Sequence, residues 1–426
     1  MKNLLKKLFL SVFLLPFFSF ATVTTKLGDK IKVDGIIESK EWGGAQIFDI
    51  KYEYDPGYNT LPPFKTTAYV TYSDTKLYVA FDAKIEDIKY LRASIRERDT
   101  GFMDDWVAIA LDTYGDNRSL IIIGSNAYGS QIDFKETLGS DGDPSFNVNY
   151  ESKGVIGEDG YVVEMAIPFS ELQYEKKDTL RWKASFIRTS WKESKISVSN
   201  NKFDRGNDCF ACQIDTYIEL EGVNPKKRLE FLPYVSGNYV GSSDGNKISY
   251  DKPNFRAGLS ARYDLSSSTA LDFTINPDFS QVEADVTRIN INSPFAVNYP
   301  ERRPFFNEGN DILSSYGDAV YTRSINNPIF ASKLVNQGSK QRVYFLTSYD
   351  KDTPYLVPGE NRSYFGKGEE SFGNILRYQR TFGNGSNVGF LSTNRFYNGG
   401  GIGNMFGVDA KIRFNKTYNL DFVYGN

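Results

Sequence analysis

Apolar and polar positions alternate in short runs along most of the chain, with turn residues between the runs and hardly any helical spacing. The runs "TTAYVTYSDTKLYVAFDAKI", "DWVAIALDTYGDNRSLIIIG", "YVVEMAIPFSEL" and "LRWKASFIRTSW" read as successive short strands. Strands at this spacing predict a β-sandwich over residues 22–222. In "DDWVAIALD", Val107, Ile109 and Leu111 share one face, while Trp106, Ala108 and Ala110 share the other. The first face is expected in the core. The second is expected to leave Trp106 exposed or partly so.

The pattern changes near residue 222. Gly222, Asn224 and Pro225 break the strands, and Lys226, Lys227 and Arg228 add a basic run. Beyond this joint the alternation is cleaner. "FRAGLSARYDL" places Phe255, Ala257, Leu259, Ala261, Tyr263 and Leu265 opposite Arg256, Ser260, Arg262 and Asp264, and "MFGVDAKIRF" repeats the code over residues 405–414. Repeated, aromatic-rich runs of about ten residues match the length and in-out code of an outer-membrane strand. The all-β fold predicted is therefore a sandwich followed by the N-terminal part of an antiparallel outer-membrane β-barrel over residues 223–426, with a second soluble β-domain as the alternative. Within this part "NPDFSQVEAD", residues 276–285, does not alternate.

The N-terminus supports export. Lys2, Lys6 and Lys7 precede an apolar run from Leu8 to Phe18 and then Ser19-Phe20-Ala21, which reads as a signal peptide over residues 1–21 cut after Ala21. The run is shorter than the roughly 20 residues of a spanning helix. With 36 Gly, 28 Tyr and 32 Phe in 426 residues and a mean hydropathy of −0.43, a membrane role would fall to strands. A net charge of −3 argues against a nucleic-acid partner.

Histidine is absent, which removes Ser-His-Asp triads, Cys-His pairs and His-containing zinc sites. The two cysteines form Cys209-Phe210-Ala211-Cys212. Two thiols without further ligands make half a zinc site, and no thioredoxin-like βαβ pattern surrounds them, so in an exported chain a local disulfide is expected.

Four segments, "VDGIIESKEWGGA" (33–45), "MDDWVAIALDTYGDNRS" (103–119), "GYVVEMAIPFSEL" (160–172) and "RWKASFIR" (181–188), resemble motifs of the family-9-like carbohydrate-binding domain. "RLEFLPYVSG", "LDFTINPDFSQVEADVTRININ" and "NYPERRPFFNEGNDIL" resemble segments of an uncharacterised outer-membrane barrel domain that commonly follows it. The resemblance implies a jelly-roll-like sandwich, and a non-strand insertion near 276–315 folded into or across the barrel mouth. Glu283, Asp285, Glu301 and Glu308 would then pair with Arg288, Arg302 and Arg303 in a polar lumen; a long surface or periplasmic loop is the other reading.

It also implies a carbohydrate or other envelope glycan as ligand and outer-membrane lipid as surroundings. Of the four tryptophans, Trp42 and Trp182 are expected to pack the sandwich, and Trp106 and Trp191 to contact ligand. Asp104, Asp105, Asp112 and Asp116 form an acidic group that would suit structural calcium or would simply be solvated turn residues. No haem is expected, since without histidine only Met or Lys ligation is left. No pair of carboxylates is marked for glycosidic chemistry, so no catalytic residue is assigned. The function expected is ligand binding at the outer membrane. The alternatives are a transport or assembly component whose sandwich is a gate or docking surface, and an accessory part of a glycoside-hydrolysing system. "YNLDFVYGN" lacks the terminal aromatic usual in such barrels, and about ten strand candidates follow residue 228, so the chain is expected to be the N-terminal part of a longer protein.

Overall fold

Alternation does become strand. The computed structural model describes residues 24–28 and 31–426 apart from 138–141, 144, 145, 192, 193, 226, 240, 244, 246, 251, 278–300, 302, 315–318, 326, 352, 358–363, 384, 416 and 417. Residues 1–21, expected to be a signal peptide, lie outside them. After a short helix α1 (Ser39–Trp42), the N-terminal part contains β1 (Gln46–Asp49), β2 (Tyr52–Asp55), β3 (Thr66–Tyr72), β4 (Lys76–Lys84), β5 (Trp106–Asp112), β6 (Ser119–Asn126), β7 (Gln131–Thr137), β8 (Glu151–Ile156), β9 (Gly160–Pro168), β10 (Thr179–Trp191), β11 (Lys195–Ser199) and β12 (Tyr217–Glu221). They make two sheets, β1-β3-β4-β9-β8 and β2-β11-β10-β5-β6-β7, with β12 pairing the first half of β10.

Between the sheets lies one apolar core that includes Val79, Phe81, Ile109, Val163, Trp182 and Phe186. Each outer face is also partly covered. Residues 31–45 fold over the first sheet, where the Trp42 indole donates to Glu164 at 2.8 Å and the N–H groups of Asp34 and Gly35 donate to the same carboxylate at 2.9 and 2.7 Å. Phe203, Ala211 and Ile214 cover the second, against Trp106, Ala108 and Ile122. Both faces of β5 are therefore buried along its whole length.

The C-terminal part contains β13 (Leu229–Asn238), β14 (Gly241–Ser243), β15 (Ile248–Tyr250), β16 (Asn254–Ser266), β17 (Thr269–Ile275), β18 (Pro328–Gln337), β19 (Gln341–Asp350), β20 (Pro354–Val357), β21 (Tyr364–Lys367), β22 (Ser371–Phe382), β23 (Ser386–Tyr397), β24 (Ile402–Arg413) and β25 (Asn419–Gly425). Nine of these form an antiparallel sheet in the order β13-β16-β17-β18-β19-β22-β23-β24-β25, and β14-β15 and β20-β21 are separate two-stranded ladders. Among the described residues β13 and β25 remain edges, so the sheet is open and no closed barrel is formed by this chain.

One face of this sheet exposes apolar side chains such as Phe273, Phe345, Phe372, Phe406 and Phe422. The opposite face buries Arg342, Arg377, Asp409 and Lys333. Arg377 reaches Asp409 from two strands away, with Nη2 2.8 Å from Oδ2. Gly389 permits this, because a Cβ there would sit 2.5 Å from Nη1 of Arg377.

Between β17 and β18 the described residues include α2 (Pro304–Asn307) and α3 (Asn310–Ser314), within the span expected to leave the strand ladder. Phe306, Ile312 and Leu313 pack on Val335, Tyr344 and Leu346 of the polar-lined face. Gly309, at φ +80°, makes the turn between the helices. Of the expected ion pairs, Glu301 does bond Arg303, at 2.7 Å. Glu308 pairs instead with Arg262 of β16, while Glu283, Asp285, Arg288 and Arg302 lie outside the described residues.

Candidate ligand site

The loop from residue 85 to 105 and the end of β10 build one end of the sandwich. Trp191, the last residue of β10, is half-buried; its indole donates to the Phe102 carbonyl at 3.2 Å and its N–H to Asp105 at 2.7 Å. The guanidinium of Arg92, an exposed residue, lies 5.6 Å from the centre of the Trp191 ring. Such a stack is favourable by about 0.5–1 kcal/mol at an exposed site. This end therefore presents a fixed aromatic ring beside a cation.

The carboxylates beneath it are already committed. Asp104 accepts from the Ser94 N–H at 3.2 Å, from Nε of Arg96 at 3.3 Å and from Asn126 at 3.0 Å. Asp105 accepts from Trp191 and, at 3.1 Å, from Ser190. Burial pushes the Asp105 carboxyl up, and the Trp191 N–H and the Arg188 charge only partly offset this. Arg188 is wholly buried, donating to Thr66 Oγ1 and the Lys84 carbonyl at 2.8 Å each and lying 4.0 Å from the Phe64 ring.

Two expectations are corrected here. Trp106 is only 9% exposed, because the segment containing Phe203 and Ala211 covers the face that alternation left open. Period two separates two faces but does not say what lies over either. The four aspartates likewise do not make one calcium site. Asp104 and Asp105 flank the start of β5, whereas Asp112 and Asp116 stand at and beyond its other end, about 20 Å away at ~3.3 Å per residue.

Asp112 accepts the N–H groups of Gly115 at 2.8 Å and Asn117 at 2.9 Å, and Asp116 accepts Nε of Arg118 at 2.7 Å. They hold a turn. Among the described residues no cluster of three or more acidic or cysteine ligands occurs. Trp182, 1% exposed, packs between Phe169 and Tyr174 at ring distances of 5.8 and 5.3 Å. Cys209 and Cys212 are joined in a disulfide beside Asn117.

Sequence reasoning missed Arg92, Arg96, Asn126 and Arg188. The only sign was "RASIRER", residues 92–98, three arginines in seven residues without strand alternation.

The other end of the sandwich rests on hairpin turns of the nine-stranded sheet. Nη2 of Arg118 donates to the Gly338 carbonyl at 2.8 Å, and the Tyr174 N–H to the Ser267 carbonyl at 3.2 Å. Lys135 of β7 is buried and bonds both Asp311 of α3, at 3.0 Å, and Gln337 of β18, at 3.1 Å; Arg342 of β19 bonds the same two groups. Burial pushes the Lys135 ammonium down to about 8 against the pull of Asp311.

Residues 33–195 match the family described as "Carbohydrate family 9 binding domain-like", and residues 225–344 match a domain of unknown function, DUF5916. Among solved structures, the chain is similar to a carbohydrate binding module family 9 from Caldicellulosiruptor kristjanssonii in complex with cellotriose, at 16% identity over 47% of this chain and 93% of that one, with a TM-score of 0.34. It is also similar to a putative carbohydrate-binding protein from Bacteroides uniformis, at 13% identity over 47% and 98%, with a TM-score of 0.38. No curated protein sequence matches the chain.

Proposed function

We propose, for a chain that carries a family-9-like carbohydrate-binding domain followed by a domain of unknown function, that it is an outer-membrane protein whose sandwich binds carbohydrate or another envelope glycan without catalysing a reaction. The family match over residues 33–195 carries this reading. Trp191 supports it, since a half-buried ring at a domain end suits stacking on the C–H face of a sugar. That end lies across the sandwich from the contacts with the nine-stranded sheet, so docking leaves it accessible.

The membrane part is supported by the sheet's apolar outer face, which is the arrangement lipid favours. Its short turns, such as Ser267 and Gly338, face the sandwich, which supports reading the sandwich as periplasmic.

Glycan-panel binding with wild-type protein and two variants tests the reading. Trp191→Ala is expected to abolish retention on at least one polysaccharide while changing stability by less than about 1 kcal/mol. Trp106→Ala is expected to cost about 3 to 5 kcal/mol of stability, as truncation of a packed aromatic does. A wild-type protein that binds nothing on a broad panel would sink the carbohydrate reading. The gate or docking reading would then take its place, favoured by the buried bridge from Lys135 to Asp311.

A further inference from the structure

On the outward face of the nine-stranded sheet, one row of side chains breaks the apolar pattern. Ser332, Thr347, Asn374, Asn394 and Asn404 are direct cross-strand partners, in that order, from β18 through β19, β22 and β23 to β24. The rows on either side are apolar or aromatic. Phe330, Tyr349, Phe372, Phe396 and Ile402 lie beyond it, and Leu334, Phe345, Leu376 and Phe406 lie on the side nearer the sandwich, interrupted by Ser392. Followed the other way, into β17, β16 and β13, the same row continues as Phe273, Ala261 and Phe231. The polar stretch is a bounded patch.

Under the membrane reading, on which this inference rests, the patch does not mark the edge of the lipid. Membrane strands tilt by about 35–45° from the bilayer normal, and neighbouring strands lie ~4.8 Å apart. Four such spacings separate Ser332 from Asn404, so the row climbs about 12 Å through the layer. It crosses the hydrocarbon instead of bordering it. An amide there needs a hydrogen-bond partner, and lipid tails offer none. Ser332 reaches the Asp272 carbonyl at 3.3 Å, and the Asn394 amide reaches Ser392 at 3.3 Å. The side-chain amides of Asn374 and Asn404 have no hydrogen bond to another described residue.

What covers the patch must bring polar groups of its own, and uncharged ones, since none of the five side chains carries a charge. A second copy of the same patch does so. An amide is donor and acceptor at once, so like amides satisfy each other across a two-fold axis, and two-fold pairs are the commonest symmetric assembly. The inclination fixes where they meet. Two rows that each climb at about 40° cross, face to face, at their middle, and the middle of this row is Asn374 opposite Asn394. We infer that the outward face of β18–β24 is an interface between two copies of this chain within the membrane, held at its centre by the Asn374 and Asn394 amides. Uncharged polar side chains join membrane segments in the same way elsewhere. The flanking apolar rows close around the amides, and lipid is left to cover the rest of the apolar face.

Sedimentation of the whole chain in detergent micelles over a dilution series tests this, together with bis-maleimide cross-linking of variants that carry one added cysteine. Cys209 and Cys212 are joined to each other and do not take the reagent. Wild type is expected to be a dimer, and the Asn374→Leu, Asn394→Leu double variant to dimerise at least about tenfold more weakly. Asn374→Gln, which keeps an amide, should retain more of the dimer than Asn374→Leu does. Both side chains lie on the outer face, so their replacement leaves the fold intact, and the melting temperature checks this. Asn374→Cys is expected to cross-link between copies, and Tyr424→Cys, on the unpaired edge strand β25, is not. The proposal is overturned if the double-leucine variant dimerises as wild type does, or if Tyr424→Cys cross-links and Asn374→Cys does not, which would put the contact at the sheet edge. A wild type that is monomeric but needs detergent overturns this interface alone. One that is monomeric and stays in solution without detergent overturns the membrane reading with it.

Discussion

The sandwich and the nine-stranded sheet are built from the same alternation of apolar and polar residues, turned opposite ways. In the sandwich the apolar side faces inward, and Phe81, Ile109 and Trp182 meet between two sheets. In the larger sheet the apolar side faces outward, and the protected face carries Arg377, Asp409, Lys333 and Arg342. Alternation fixes that a strand has two different faces. Which face meets solvent depends on what covers it. A second sheet covers the apolar side in the first case; in the second, α2 and α3 cover part of the polar side, and under the proposed function lipid would cover the apolar one.

Separating the two regions should give the largest contrast. The sandwich core draws all its buried members from residues 50–220, so residues 22–222 alone are expected to show strand-type circular dichroism and one cooperative melt. Residues 228–426 alone are expected to stay in solution only with detergent. A sandwich that aggregates by itself would break the comparison.

Inside the sheet, Arg377→Met leaves Asp409 buried without its partner and is expected to cost about 3 to 5 kcal/mol. The Arg377→Met, Asp409→Leu pair should recover most of that, since two apolar groups need no counter-charge. Thermal unfolding in micelles measures both. Equal losses in the single and double variants would mean that the pair is not what the polar face protects.

The sandwich also carries acids under strain from burial. The Asp133 carboxyl is pushed up to about 6 by burial, with Arg98 and the Val148 N–H only partly offsetting it. A carboxyl whose folded value lies above its unfolded one takes its proton first in the folded state. Stability is therefore expected to rise as pH falls from about 6 toward 4, by about 2 kcal/mol from this group, and to be flat above that window. Calorimetric melts of wild type and Asp133→Asn should differ in slope across this window; identical slopes would remove Asp133 as the source.

The smallest effect expected is at the rim of the contact between the regions. Arg413 bonds Asp208 at 2.8 Å, but the Asp208 side chain is half exposed. Asp208→Ala should change the melting free energy by less than about 1 kcal/mol. A larger loss, read by the same calorimetry, would mean that docking depends on this rim as well as on the buried Lys135 contacts.

The strands themselves were legible, because period two is a local property. "FRAGLSARYDL" lies within β16, and nearly all of "MFGVDAKIRF" within β24. The cover over Trp106 was not, since it comes from residues about 100 positions later. Nor were the partners of the acids: Glu308 meets Arg262 and Asp104 meets Arg96 and Asn126, and sequence neighbourhood favours no such choice. The pair Glu301 and Arg303 was within reach because the two residues are two positions apart. Closure of the sheet depends on edges meeting, which no single strand encodes.

Asp311 has a consequence of its own. One negative charge stands between two positive ones, Lys135 from the sandwich and Arg342 from the sheet, with all three side chains nearly out of reach of water. Loss of either cation leaves an attractive pair. Loss of the aspartate leaves two like charges confronting each other across the seam where three parts of the chain meet, so the mediator is worth more than either party it holds.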